Sequence, residues 1–445
     1  MSTTRLDTDY LILGAGAMGM AFADVILAEH PSARIVIVDR HASPGGHWND
    51  AYPFVKLHQP AAFYGLNSTK LGQGGEDLVC GPEIVAYFKS AMDRFLTTGR
   101  VRYLPMSEYQ GDGRIVSLVD QDRVIEVTAH RRIVDSTYMK VEVPSVVAPR
   151  YEVDPDVSLV PPNGLPLVKR PYERYVVLGA GKTGIDAILF LLDQGVSPHR
   201  IQWVVSNDAW LWARSTVQPG GALKTITAFI ESIVSATSID EVFLRLEREG
   251  IVARVDTGSL PTKWRCATVG QAELDGLRQI ENVVRLGRVR RVSRDKMELD
   301  RGTVETAEDS LFVDCSSNGL AKSSPLPVFT EGRVVLQSVF MCQQTFSAAL
   351  IAHLELLDMN DQKRNQICTP VPHPELKEDL LPCLLTSSHN VINWNRHMPL
   401  WVRRSRLNLG HQEAPHRYLR AAAKMALLQR KAVASMNRLL APQAS

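Results

Sequence analysis

The tract Gly14-Ala15-Gly16-Ala17-Met18-Gly19 follows four apolar residues, Tyr10-Leu11-Ile12-Leu13. Glycines at this spacing suit one task, the holding of a pyrophosphate. The first makes a tight turn, the second lets backbone approach the phosphates, and the third allows a helix to pack close to its strand. Ala17 and Met18 then fall in the first helical turn, whose amides supply partial positive charge. Asp39 stands 20 residues beyond Gly19, at the end of the run Ile35-Val36-Ile37-Val38, where an acid can accept hydrogen bonds from ribose hydroxyls; Arg40 follows it. The arrangement recurs. Tyr175-Val176-Val177-Leu178 leads into Gly179-Ala180-Gly181-Lys182-Thr183-Gly184. Two dinucleotide-binding loops are therefore expected in one chain.

Each loop needs a parallel strand–helix–strand unit to hold it. Residues 10–13, 18–29 and 35–38 supply the first, and residues 175–178, a helix through Leu192 and a strand over 201–205 supply the second. Helices are also expected from Gly81 through Phe95, over 223–250 and over 271–282; strands at 124–127 and 132–134; strand-like alternation over 283–314; and a proline-rich interdomain linker over 151–171. The composition, 45% hydrophobic and 22% charged in 445 residues, is that of a globular protein of two or three domains and excludes disordered or collagenous chains. A net charge of +2 gives no footprint for nucleic acid. Six isolated cysteines without a CxxC argue against a disulfide scaffold, a cysteine-based zinc site and a CxxC redox centre. No HExxH and no histidine ligand spacing occur, so no metal is expected. The apolar run over 10–28 approaches a membrane span in length, but its glycines suit a buried strand, turn and helix; a cytoplasmic protein without a transmembrane segment is expected. Trp203, Trp210 and Trp212 suit a substrate pocket or interface packing equally. The last 45 residues hold nine Lys or Arg and one acid, Glu413.

The segment Gly45-Gly46-His47-Trp48 adds a glycine pair, which lets amides pack on a ligand, and an indole face suited to sheltering a flavin ring. An acid ending the second strand, then GGxW, resembles the FAD-binding half of the class B flavoprotein monooxygenases, over roughly residues 8–340. Residues 52–60 sit where that family has a segment beside the flavin. The resemblance implies an α/β fold of two Rossmann-like dinucleotide-binding domains, the NAD(P) domain inserted in the FAD domain. The boundaries would be 1–168, 169–300 with a helical insertion, and 301–445 with a basic helical C-terminus. It implies FAD held by Gly14, Gly16, Ala17, Met18, Gly19, Asp39, Arg40, Gly46, His47, Trp48 and Asp314. Residues 311–315 resemble the family's late FAD-domain strand, and 133–137 its earlier one.

The second loop corresponds to the nicotinamide site, with Gly179, Gly181, Lys182, Thr183 and Gly184. Its second strand ends at Ser206-Asn207 instead of an acid, with Lys182 and Arg214 nearby as phosphate partners. This favours NADPH, with NADH second and Asp208 the one contrary feature. His47, Trp48, His58 and Gln59 are the expected surroundings of the reacting ring, a histidine of ordinary pKa near 6.5 serving as proton source. The implied reaction consumes NAD(P)H and O₂ and oxygenates a small molecule through a C4a-(hydro)peroxyflavin. Residues 150–174 contain no histidine and so lack the FxGxxxHxxxW and FxGxxxHxxxF/Y signatures of Baeyer–Villiger and flavin-containing enzymes. Hydroxylation at nitrogen is therefore placed first, ahead of Baeyer–Villiger oxygenation. A flavin dehydrogenase or reductase is the third reading, its disulfide branch requiring a thiol pair that no spacing reveals. Homo-oligomerisation is left open.

Overall fold

The computed structural model describes residues 2–120, 122–317, 319–320 and 323–441. Strand β1 (Ser2–Leu13), helix α1 (Ala17–Glu29), strand β2 (Ile35–Val38), helix α2 (Gly81–Thr97) and strand β3 (Val101–Leu104) begin a parallel sheet. Strand β4 (Arg123–Asp135) lies on the other side of β1, paired in parallel from Ser2↔Arg123 to Leu13↔Asp135 with one register shift between Thr8 and Tyr10. The two strands expected at 124–127 and 132–134 are thus one. Beyond β4 come Arg333–Val335, also parallel, and antiparallel Phe329–Thr330.

A second, wholly parallel sheet has strand β5 (Arg174–Leu178) near its centre. Helix α3 (Lys182–Asp193) crosses to strand β6 (Ile201–Val204), and Val283–Val284 pairs beyond it. Helix α4 (Ala222–Ser235), helix α5 (Ile239–Arg248) and strand β7 (Lys263–Val269) form an adjoining lobe. The helix expected over 223–250 is broken because Ser238 caps α5, its side chain accepting from the Glu241 amide. The helix expected over 271–282 ends at Leu277. Strand β8 (Ser310–Asp314) pairs with β5 on the side away from β6, with Leu159–Val160 at the edge. Two expectations are corrected here. Residues 311–314 belong to the second sheet, and the 151–171 segment contributes an edge strand to that sheet besides linking. An all-apolar run such as Leu311-Phe312-Val313 suits the interior of either parallel sheet, so composition could not assign it.

Helix α1 buries every residue from Met18 to Leu27, because β1 covers one side and helix α6 (Gln344–Leu356) the other. That enclosure explains the long apolar run near the N-terminus, and no helix among the described residues is long and apolar enough to cross a membrane. Trp203 and Trp210 are buried. Trp210 stacks on Phe243 and Trp212 meets Trp264 edge-on, so of the two alternatives for these indoles packing holds. The basic C-terminus forms helix α7 (Pro415–Leu440), which packs on α4 through Ala432 and Met436.

Candidate functional site

Both glycine loops leave the carboxyl ends of central strands, at the places where neighbouring strands run to opposite sides. The two loops obey one geometry. Gly14 and Gly179 have φ of +95° and +126°, which side chains resist. A Cβ on Gly19 would lie 2.2 Å from the Gly14 carbonyl oxygen, and one on Gly184 2.1 Å from that of Gly179. Gly16 and Gly181 sit at the helix caps in extended backbone, with no side chain capping and no acid in the first turn. The first-turn amides of α1 and α3 are thereby left for an anion.

The Gly45-Gly46 turn packs onto the first loop. The Gly45 amide donates to the Ala15 carbonyl at 2.9 Å, and a Cβ on Gly46 would reach 3.0 Å from the Gly16 Cα. Asp39 ties turn and loop together. One carboxylate oxygen accepts from the Ala15 amide at 2.5 Å, the other from the His41 amide at 2.7 Å and His41 Nδ1 at 2.9 Å. Arg40 points outward, 3.7 Å from Glu108.

His47, Trp48, His58 and Gln59 all line one cleft of about 740 Å³, together with Gly179, Gly181, Lys182 and Thr183. Trp48 is buried at the wall and donates from Nε1 to the Tyr64 hydroxyl at 2.8 Å; the His47 ring lies 5.0 Å from it. Gln59 is held towards the Phe63 carbonyl at 3.4 Å. Gly14, Gly16, Ala17, Met18, Gly19, Asp39, Arg40, Gly46, Gly184, Arg214 and Asp314 do not line this cleft. Buried Asp314 accepts from the Ser316 amide and hydroxyl, and it is Ser316 that faces the cleft.

Three expectations about roles change. Arg214 is buried, donating to Glu273 and, at 3.2 Å, to Thr268, so it does not line the cleft beside the second loop. Lys182 is held within its own helix by Asp186, which also accepts from the Tyr52 hydroxyl at 2.7 Å. Desolvation in the cleft lowers the pKa of both His47 and His58 to about 4, so both are neutral at pH 7 instead of poised near 6.5. Each can still donate or accept one hydrogen bond as neutral imidazole.

No protein-family model matches the chain. It is 44% identical over 422 residues to Uncharacterized protein Rv2000 of Mycobacterium tuberculosis, covering 91% of this chain and 78% of that one. Uncharacterized protein Mb2023 of Mycobacterium bovis matches to the same extent. Among solved structures, the polycyclic ketone monooxygenase of the thermophilic fungus Thermothelomyces thermophila is similar, with a TM-score of 0.50 and 12% identity, over 98% of this chain and 89% of that one. The chain belongs to the family of these mycobacterial proteins, and its fold is that of the class B flavoprotein monooxygenases.

In this member of the family several contacts at and around the cleft join residues that sequence reasoning did not bring together. Tyr52 and Asp186 meet across 134 residues. Asp208, the contrary acid, is neutralised by Arg285 at 3.0 Å, and Arg288 is exposed at the cleft. Cys266 and Cys342, isolated in sequence, are joined as a disulfide at the cleft wall, and His373 brings a third ligand-type atom so that all three lie within 4.8 Å of one another. The thiol pair that sequence spacing did not reveal is therefore present in space.

His41 yields a pH prediction. Its ring is bonded to Asp39 and, at 2.8 Å, to Asp50, and these acids raise its pKa from 6.5 to about 9. A raised folded-state pKa contributes stability that is full below about pH 6.5 and is lost as pH rises through about 9. With the side chain 30% exposed, the contribution is about 1–2 kcal/mol after solvent screening. Thermal melts from pH 6 to 10 should show a fall in Tm over the upper part of this range that His41→Gln shows much less; identical profiles would refute it.

Proposed function

We propose that the chain is a flavoprotein monooxygenase that binds FAD at the first glycine loop and NAD(P)H at the second, and oxygenates a small molecule. The observation that carries this reading is the repeated loop geometry: two uncapped, acid-free helix N-termini in one chain, each behind a glycine that no Cβ could replace, the second loop lining the cleft and the first joined to it through the turn that carries His47 and Trp48. The residues fit both dinucleotides. We read the second sheet, whose strands lie in sequence between β4 and Arg333–Val335, as the NAD(P) domain inserted in the FAD domain. Gly14, Gly16, Ala17, Met18, Gly19, Asp39 and Gly46 would hold the flavin nucleotide; Gly179, Gly181, Thr183 and Gly184 the nicotinamide nucleotide.

Bound FAD would supply hydride acceptance and reaction with O₂. The chain's own residues bind, orient and exclude water. Trp48 closes one wall with an apolar face, and neutral His47 and His58 offer hydrogen bonds without placing a fixed charge beside the reacting centre. Absence of the linker histidine signature keeps nitrogen hydroxylation ahead of Baeyer–Villiger oxygenation. Turnover under ¹⁸O₂ with amines, sulfides and ketones should place one labelled oxygen in the product, amines first. Unlabelled product with consumption of NAD(P)H would assign the chain to the dehydrogenases or reductases. The Cys266–Cys342 disulfide at the cleft is the specific observation that favours this second reading.

NADPH is favoured over NADH because Ser206 and Asn207 leave the strand end neutral and Arg288 is an exposed cation among those lining the cleft. Arg288→Ala should raise the apparent KM for NADPH about tenfold more than that for NADH, the loss of one charge-assisted contact. Arg214→Ala should instead lower stability by about 3 kcal/mol, since it strands Glu273 without its partner, and should not discriminate between the two nucleotides. Stopped-flow flavin reduction and thermal melts on both variants check the pair; the reverse pattern would return Arg214 to the cofactor site.

A further inference from the structure

We propose that Cys266–Cys342 is a reversibly reducible cystine of the cleft, a substrate for small dithiols, whose reduction releases a strained turn that it holds against the cleft wall.

The pair has the accessibility of a reactive site. Both residues line the cleft and are half-buried, whereas Cys315, which also borders it, and Cys368 and Cys383 are buried thiols. Cross-linking is not how this protein achieves its stability: it is the one disulfide among the described residues, in a chain long enough to bury several apolar cores. Arg265, next to Cys266, also lines the cleft; its guanidinium donates to the Trp264 carbonyl at 3.3 Å and has Glu375 as its charged neighbour. A cation there stabilises a departing thiolate, which makes the disulfide easier to reduce.

The two cysteines connect different parts of the molecule. Cys266 lies in β7, which is fixed at one end where the Trp264 amide donates to the Glu375 carbonyl and at the other where Thr268 donates to the His58 carbonyl, both at 2.9 Å. Cys342 lies in the turn that leads into α6. Next to it Met341 has φ +43°, a left-handed conformation that a side chain adopts at a cost of order 1 kcal/mol. The disulfide thus ties this turn to a strand that stays anchored when the tie is cut.

Reduction is a thiol exchange. One thiolate of a dithiol attacks a cystine sulfur, the S–S bond breaks and a mixed disulfide forms; the second thiol then displaces the remaining cysteine. Two electrons and two protons pass from the dithiol, which leaves as its cyclic disulfide, to give two cysteine thiols. The inference goes beyond the proposed oxygenation and requires no bound flavin.

The test uses the full-length protein without reductant, incubated natively with graded ratios of reduced to oxidised dithiothreitol, quenched, unfolded and labelled with a maleimide mass tag. Before reduction four thiols should label, and after it six, the two additions mapping to Cys266 and Cys342 and disappearing again with oxidised dithiothreitol. Hydrogen exchange over 338–343 should quicken at least threefold on reduction. In the Cys266→Ser variant it should be equally fast with and without reductant. A pair that resists dithiothreitol until the chain unfolds would make it a structural cross-link and overturn the proposal. Exchange that does not change on reduction would overturn the released turn. Six thiols in the untreated protein, with one equivalent of zinc lost in His373→Ala, would make the cluster a metal centre instead.

Discussion

Gly16→Val should yield folded protein that purifies without flavin. Gly16 has φ −75° and ψ 180°, which valine adopts freely, so the backbone gives no reason for misfolding. The space around it is the constraint. A Cβ there would stand 3.6 Å from the Gly46 Cα, an ordinary contact, but the two methyl groups of valine must extend further, either into Gly46 or over the amides of the first helical turn. In the second direction they occupy the place where a pyrophosphate must approach. Flavin affinity should fall by at least about 100-fold, equivalent to about 2.7 kcal/mol. The visible spectrum of the purified protein, the flavin released on denaturation and a titration of apoprotein with FAD all report it. Yellow, stoichiometric Gly16→Val would remove the first loop from the flavin site, and wild type that neither carries nor binds FAD would remove the whole proposed function.

Gly181→Val should separate the two nucleotides. Nothing lies within 4 Å of a Cβ built on Gly181, and its backbone is extended at φ −79°, so the variant should fold and bind flavin as wild type does. The open space beside it is where the second pyrophosphate would lie, against the uncapped amides of α3. Flavin reduction at a fixed, subsaturating NADPH concentration should slow about 100-fold, while FAD content and Tm stay unchanged. Chemical reduction by dithionite should remain normal. Unimpaired reduction by NADPH would show that the second loop does not carry the nicotinamide nucleotide. The same variant also separates this reading from the cystine proposal, because labelling of Cys266 and Cys342 after dithiothreitol should be untouched by it.

The sequence alone determined whatever depends on local backbone requirements. Glycines at positions 14 and 19, and at 179 and 184, are demanded by a positive φ and by a carbonyl about 2 Å from where a Cβ would sit. Such demands are met only by glycine and therefore appear in the sequence. The runs before and after each loop are short and mostly apolar because both faces of a parallel sheet are covered. His47, Trp48, His58 and Gln59 lie close together in sequence and reach one cleft for that reason.

Which distant residues meet is set by tertiary packing. It placed 310–314 beside β5 instead of in the first sheet, paired Arg214 with Glu273 and Lys182 with Asp186, and lowered the histidine pKa values by desolvation. Burial and ion pairing are properties of surroundings assembled from many segments, so an arginine or histidine reads identically whether it is free or engaged. The same holds for Cys266 and Cys342, 76 residues apart and without a motif. Their meeting is set by where β7 and the turn before α6 pack, and no local spacing encodes that distance.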